Sequence, residues 1–97
     1  MTFVVAATWI AKAGEEAVVA DTIRTMTPLS RAEPGCHYYQ AQVSTEDSGR
    51  FLLYEQYDDE RAYEAHKQTP HFQQHVFGFV LERLEERSVT TWTTVET

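Results

Sequence analysis

The run Arg50 to Tyr57, RFLLYEQY, sets the tightest limit on how this chain can fold. Its aromatic and branched residues, bounded by polar turn residues, read as a strand. Phe51, Leu53, Glu55 and Tyr57 fall on one side, and Leu52, Tyr54 and Gln56 on the other. Neither side is uniformly polar, so both faces need cover. Helices of the same chain can supply one cover. The second points to a partner chain.

The junctions around this strand have local causes. Glu33-Pro34-Gly35 is a stop signal, because proline moves the residue before it out of the α region and glycine tolerates a turn. Cys36 to Val43 then reads as a strand, with Cys36, Tyr38, Gln40 and Gln42 on one face and His37, Tyr39, Ala41 and Val43 on the other. Ser44 to Gly49 is a polar hairpin loop. After the second strand, Asp58 or Asp59 is placed to cap a short helix over Glu60 to Gln68, with Ala62, Tyr63 and His66 on one side. Thr69-Pro70 restarts the chain as N-cap and first helical residue. Phe72, Val76, Phe79, Val80 and Arg83 then follow a helical stripe.

Upstream, Thr2 to Ile10 reads as a first strand and Ala11 to Gly14 as a turn. A helix opening at Glu15-Glu16 buries Val19, Ile23 and Met26, and Pro28 is expected to kink or end it. Downstream, Glu82 to Arg87 reads as a charged helix end and Ser88 to Val95 as a last strand. The order βαββαβ predicts an α+β, ferredoxin-like antiparallel sheet with helices on one face. The uncovered face would be buried by a C2 dimer.

A chain of 97 residues forms a single domain over residues 1–97. Its net charge of −7 argues against nucleic acid and against an anionic membrane surface. No apolar run is long enough to span a bilayer, and the start MTFVVAATW lacks the basic region and cleavage site of a signal peptide, so a cytoplasmic location is expected. One cysteine rules out an internal disulfide and a cysteine-rich metal site.

Glu55 in the middle of an apolar strand needs a partner or a raised pKa. A neighbouring His66 would serve, and an imidazole titrating near neutrality could act as a general base. The alternative is a structural hydrogen bond that fastens helix to sheet. His66, His71 and His75 raise the question of a metal, but no carboxylate stands at HExxH-like spacing and Pro70 separates His66 from the other two, so no metal is expected. Most aromatics are expected in the core and dimer interface, with Trp9, Tyr54 and Phe72 as lining of a pocket for a flat ring. Cys36 is expected to be inert and partly buried. There is no glycine-rich phosphate loop to hold a flavin or nicotinamide.

The ordered set Glu33-Pro34-Gly35-Cys36, Tyr39, Phe51 to Asp59, Ala62 to His66 and Thr69-Pro70-His71-Phe72 resembles the antibiotic biosynthesis monooxygenase domain family. The resemblance implies a dimeric α+β barrel with a pocket in each subunit between sheet and helices. It also implies an activity among those of the family: cofactor-independent oxygenation of quinols and polycyclic phenols, haem degradation, or isomerisation of small sugars. The haem-degrading branch needs an Asn, a Trp and an iron-ligating His. This chain has Ala7 and His66 at the first two places and Val76 at the third, with His75 one residue and about 100° away. The expectation is therefore a homodimeric, cofactor-free monooxygenase acting on a small electron-rich aromatic, such as a hydroquinone or anthrone, with O2. His66 would deprotonate the substrate, assisted by Glu55. A non-catalytic binding or accessory protein, and an isomerase or cyclase-like enzyme using the same pocket, are the alternatives.

Overall fold

The computed structural model describes residues 1–96. Strands β1 (Phe3–Ala11), β2 (Cys36–Val43), β3 (Arg50–Tyr57) and β4 (Leu84–Thr93) form one sheet in the order β2-β3-β1-β4. Every neighbouring pair is antiparallel. Helix α1 (Glu16–Arg31) links β1 to β2. Helix α2 (Glu60–Lys67) and a second helical segment starting with α3 (Pro70–Phe72) link β3 to β4. This is the ferredoxin-like α+β fold, as an open sheet.

The helices lie on one face of the sheet. Val5, Ala7, Trp9 and Ala11 of β1, Tyr39 of β2, and Phe51, Leu53, Glu55 and Tyr57 of β3 are buried beneath them. Val19, Ile23 and Met26 of α1, with Phe72, Val76 and Val80, close the core from above. The opposite face is open and carries exposed Tyr38, Leu52 and Trp92. Among the described residues, no helix is long and apolar enough to cross a membrane.

Four local readings need correction. Pro28 does not end α1, which runs to Arg31. Proline removes the N–H that would reach the Arg24 carbonyl. The last turn is held from outside instead: Arg31 Nε donates to the Tyr39 carbonyl at 2.8 Å, and Ser30 is fully buried. Next, Cys36 does not share a face with Tyr38. Cys36 pairs with Tyr57 and Tyr38 with Gln56, so a bulge at His37 rotates Cys36 inward against the core.

The helical segment after Pro70 is not a plain α-helix. A π-helical stretch (Gln73–Val80) and a 3-10 turn (Leu81–Arg83) follow α3. The wider turn keeps Phe72, Val76 and Val80, spaced by four, in the core. Phe79 and Arg83, expected on the same stripe, sit partly buried with the guanidinium 3.8 Å from the ring centre. Finally, Leu84 to Arg87 is strand rather than helix end, and β4 stops at Thr93 rather than Val95. The free edge of β1 offers it a ladder, with Leu84 opposite Ala11 and Arg87 opposite Trp9. Tertiary pairing overrides the helix preference of the Glu-Glu-Arg run.

Candidate active site

The site is assembled from three places in the chain. Glu55 comes from the middle of β3, on the helix-facing side between Leu53 and Tyr57. His66 comes from the inner face of α2, whose start is fixed by Asp59 accepting the Ala62 N–H at 2.9 Å. The restart at Thr69 follows: its hydroxyl donates to the His66 carbonyl at 2.7 Å and accepts the Phe72 N–H at 3.3 Å. His71 stands in the first turn after that cap.

The third place is the turn after α1. Glu33 N–H donates to the Ser30 carbonyl, and Cys36 N–H to the Glu33 carbonyl, which closes the stop signal. Gly35 is needed there for closeness rather than for an unusual backbone angle. A Cβ on Gly35 would lie 2.5 Å from the Ala62 Cβ. The turn thus rests directly on α2, and this brings the Glu33 carboxylate under the His66 ring.

His66 Nδ1 lies 2.8 Å and 3.0 Å from the two Glu33 carboxylate oxygens, and His71 Nε2 lies 2.6 Å from one of them. The other ring nitrogen of His66, Nε2, is 3.8 Å from Glu55 Oε1, beyond hydrogen-bond length. Glu55 Oε1 instead accepts the Tyr57 hydroxyl at 2.6 Å. His66, Glu33 and His71 side chains are 2%, 11% and 15% exposed, so the cluster steps outward from the core. Phe72 meets the His66 ring edge-on at 5.0 Å between centres.

Burial raises the Glu55 carboxyl above the ordinary carboxylate range; the Tyr57 hydrogen bond and the His66 charge oppose this. Burial, with the Glu55 charge second, raises the Tyr39 and Tyr57 phenols, so both stay neutral donors. The Cys36 thiol is pushed up to about 11 by burial and by Glu33, as expected of an inert thiol.

Trp9, Tyr39, Glu55, His66 and Phe72 line a small, partly enclosed cavity of ≈ 20 Å³, enough for about one water. Trp9 Nε1 is buried without a hydrogen-bond partner. Tyr63, Arg87 and Val89 belong both to this cavity and to an open groove of ≈ 430 Å³ outside it, walled by Phe3, Lys67 and Phe77. A wider groove of ≈ 480 Å³ between α1 and the β2–β3 hairpin offers only Glu16 and Arg24 as ionisable groups. The buried carboxyl and imidazole, Glu55 and His66, both line the small cavity.

The structure brings His66, Glu55, Trp9 and Phe72 together. It does not bring Tyr54. That residue points to the open sheet face, where the Gln56 amide donates to its hydroxyl at 3.1 Å and Tyr38 packs edge-on at 5.9 Å. The alternation along β3 already separates Tyr54 from Glu55. His75 also lies apart, in a groove against α1 with Thr22 and Thr25. Glu33 replaces it beside the other two histidines: Glu33, His66 and His71 each bring a ligand-type atom to within 4.8 Å of one another. With metal–ligand bonds of about 2.0–2.2 Å, atoms 2.6–2.8 Å apart would have to spread before an ion could enter.

Among curated proteins, no sequence matches this chain. Solved structures do. PA3566 from Pseudomonas aeruginosa is 27% identical, with a TM-score of 0.91 over 98% of this chain and 95% of its own. A structure described as an antibiotic biosynthesis monooxygenase is 26% identical, with a TM-score of 0.89 over 99% of this chain and 100% of its own. Rv0793 from Mycobacterium tuberculosis superposes with a TM-score of 0.91 over 100% of this chain and 98% of its own; at 23% identity it speaks for the fold alone. The profile of the family described as antibiotic biosynthesis monooxygenase matches residues 2–76. That match spans most of the chain, including the Glu33 turn, β3 and the His66 and His71 helices: the protein belongs to the antibiotic biosynthesis monooxygenase family.

Proposed function

We propose that this protein is a cofactor-independent monooxygenase that oxidises a small electron-rich aromatic, a hydroquinone or an anthrone, with O2. Family membership and the likeness to a named monooxygenase support a monooxygenase-like role. The observation that carries the finer reading is the buried His66, held by a carboxylate on one nitrogen and facing Glu55 and the cavity with the other.

In this reading His66 Nε2 takes a proton from the substrate C–H or O–H. The resulting anion passes one electron to O2, and the radical pair combines to a peroxide. The O–O bond then breaks, with the proton returned from His66. For an anthrone, a CH2 and O2 become a carbonyl and water. Burial strengthens the interaction of the His66 charge with Glu33 and Glu55 and keeps water from the intermediate. A ring is larger than the small cavity, so it enters from the outer groove as Tyr63 and Phe77 move aside. The open sheet face, with Tyr38, Leu52 and Trp92, is covered by a second copy of the chain in a dimeric α+β barrel.

One feature favours a second reading. A carboxyl raised by burial stands beside an imidazole base, and such an acid–base pair can move a proton between two carbons without oxygen. Oxygen uptake during turnover separates the two. Product formed with an equivalent of O2 consumed supports the monooxygenase. Product formed at an unchanged rate under argon overturns it in favour of the isomerase. Sedimentation at micromolar concentration tests the dimer, and a monomer would contradict the barrel.

A further inference from the structure

The site described above leaves two residues without a function. Glu33 and His71 belong to no expected catalytic pair, yet a carboxylate has been drawn almost fully out of water to meet two imidazoles. Removing a carboxylate from water is costly unless its hydrogen bonds are replaced. Here they are replaced by ring nitrogens alone: one oxygen takes His66 Nδ1 at 2.8 Å and His71 Nε2 at 2.6 Å, and the other lies 3.0 Å from His66 Nδ1.

An ionised carboxylate only accepts hydrogen bonds. Both facing nitrogens must therefore carry protons. A neutral imidazole has one N–H, and His66 uses it at Nδ1. Its Nε2 is then a lone pair, and the nearest carboxylate oxygen, on Glu55, stops at 3.8 Å. We infer that Glu33 and His71 are positioning residues: Glu33 locks His66 into the tautomer whose Nε2 lone pair faces the cavity, and His71 holds the Glu33 carboxylate from the solvent side.

The arrangement has a direction that a fastening between turn and helix would not need. A plain clasp needs no particular tautomer, and an amide in place of the carboxylate would serve it with either one, since an amide can donate or accept. If the proton moved to Nε2, the ring would donate toward Glu55 and the base would be lost. The other groups around the ring do not set this choice. Tyr57 is committed to Glu55, and Tyr39 and Tyr63 face the ring as neutral phenols from β2 and α2. Arg87 of β4 lines the same cavity, where its charge opposes the rise of the Glu55 carboxyl. When His66 takes the substrate proton, the charge is balanced by Glu33 at one nitrogen and Glu55 at the other.

The kinetic part of this inference rests on the proposed oxygenase, but its first test does not. Imidazole 15N and 1H spectra of the substrate-free, chelator-treated protein should show His66 protonated at Nδ1, with a downfield, slowly exchanging proton. In Glu33→Gln that signal should move upfield and a population protonated at Nε2 should appear. A wild-type His66 protonated at Nε2, or a signal untouched by Glu33→Gln in a protein that still melts cooperatively, overturns the inference. With an accepted quinol, Glu33→Gln should lower kcat by roughly 10²-fold with KM nearly unchanged. His71→Gln, which keeps an N–H toward Glu33, should retain most of the rate, whereas His71→Ala should lose about tenfold of it. Equal losses in His71→Gln and His71→Ala would overturn the positioning role. A Glu33-dependent Nδ1 proton in a protein that consumes no O2 would sink the oxygenase reading and leave this assignment standing.

Discussion

The placement of Glu33 under His66 depends on how closely the turn at Gly35 approaches α2. Replacing Gly35 by Ala tests that contact. The added Cβ would meet the Ala62 Cβ at 2.5 Å, about 0.9 Å short of the 3.4 Å at which ordinary contact begins. Neither atom belongs to a flexible side chain. Relief requires the turn or the helix to move, and the turn is tied at both ends: the Asp58 N–H donates to the Gly35 carbonyl, and Cys36 opens β2. Overpacking of this kind costs about 1–3 kcal/mol. For a domain of this size each kcal/mol shifts Tm by about 4–8 °C. Gly35→Ala should therefore melt about 4–24 °C lower. Ala62→Gly alone should also destabilise, by about 1 kcal/mol, because glycine weakens a helix. In the Gly35→Ala background the same change removes the clashing atom and should raise Tm. Thermal unfolding of the four proteins by circular dichroism reads this sign reversal. If Ala62→Gly lowers Tm equally in both backgrounds, close approach is not what Gly35 provides.

Two further outcomes follow from charge and burial. Because folding raises the Glu55 carboxyl above its ordinary value of 4.5, Glu55 favours the folded state fully below about pH 4.5 and loses that contribution as pH rises through the folded-state value. Glu55→Gln, which still accepts from Tyr57, should be more stable than wild type at pH 7 and lose the advantage toward pH 4. The gain is about 1.4 kcal/mol for each pH unit by which folding raises the group, and melting curves from pH 4 to 8 would expose the opposite trend. The Cys36 thiol, pushed up to about 11 from 9.0, should react with iodoacetamide at pH 8 roughly a hundredfold more slowly than an exposed thiol. Labelling followed by mass spectrometry measures this, and a rate equal to free cysteine would contradict it.

What the sequence disclosed was what local chemistry decides. The hairpin from Cys36 to Tyr57 was legible because its strand residues and polar loop sit side by side, and Thr69-Pro70 because a cap and a first-turn proline need no distant partner. Glu55 and His66 stood out as polar groups on apolar faces. Glu33 did not, because beside Pro34-Gly35 it reads as one more turn residue. Its partners lie 33 and 38 residues away, and only the fit of Gly35 against Ala62 brings them together. His71 raised only the question of a metal, because its carboxylate partner is likewise distant in sequence. The charged run after Arg83 looked helical because its partner is the far edge of β1. Tyr54 was legible: the period of two in β3 puts it on the face opposite Glu55, and the expectation that it lines the pocket runs against that pattern.

The central claim, that a buried imidazole alone starts the reaction with O2, is tested most directly with an oxygen electrode. Purified, chelator-treated protein is offered a panel of hydroquinones and anthrones, and the same panel is offered to His66→Ala. Oxygen uptake that survives the chelator and falls by about 10²-fold or more in His66→Ala is the predicted result. Uptake unchanged in His66→Ala, or no uptake with any of the panel beside saturable quenching of tryptophan fluorescence, would contradict it.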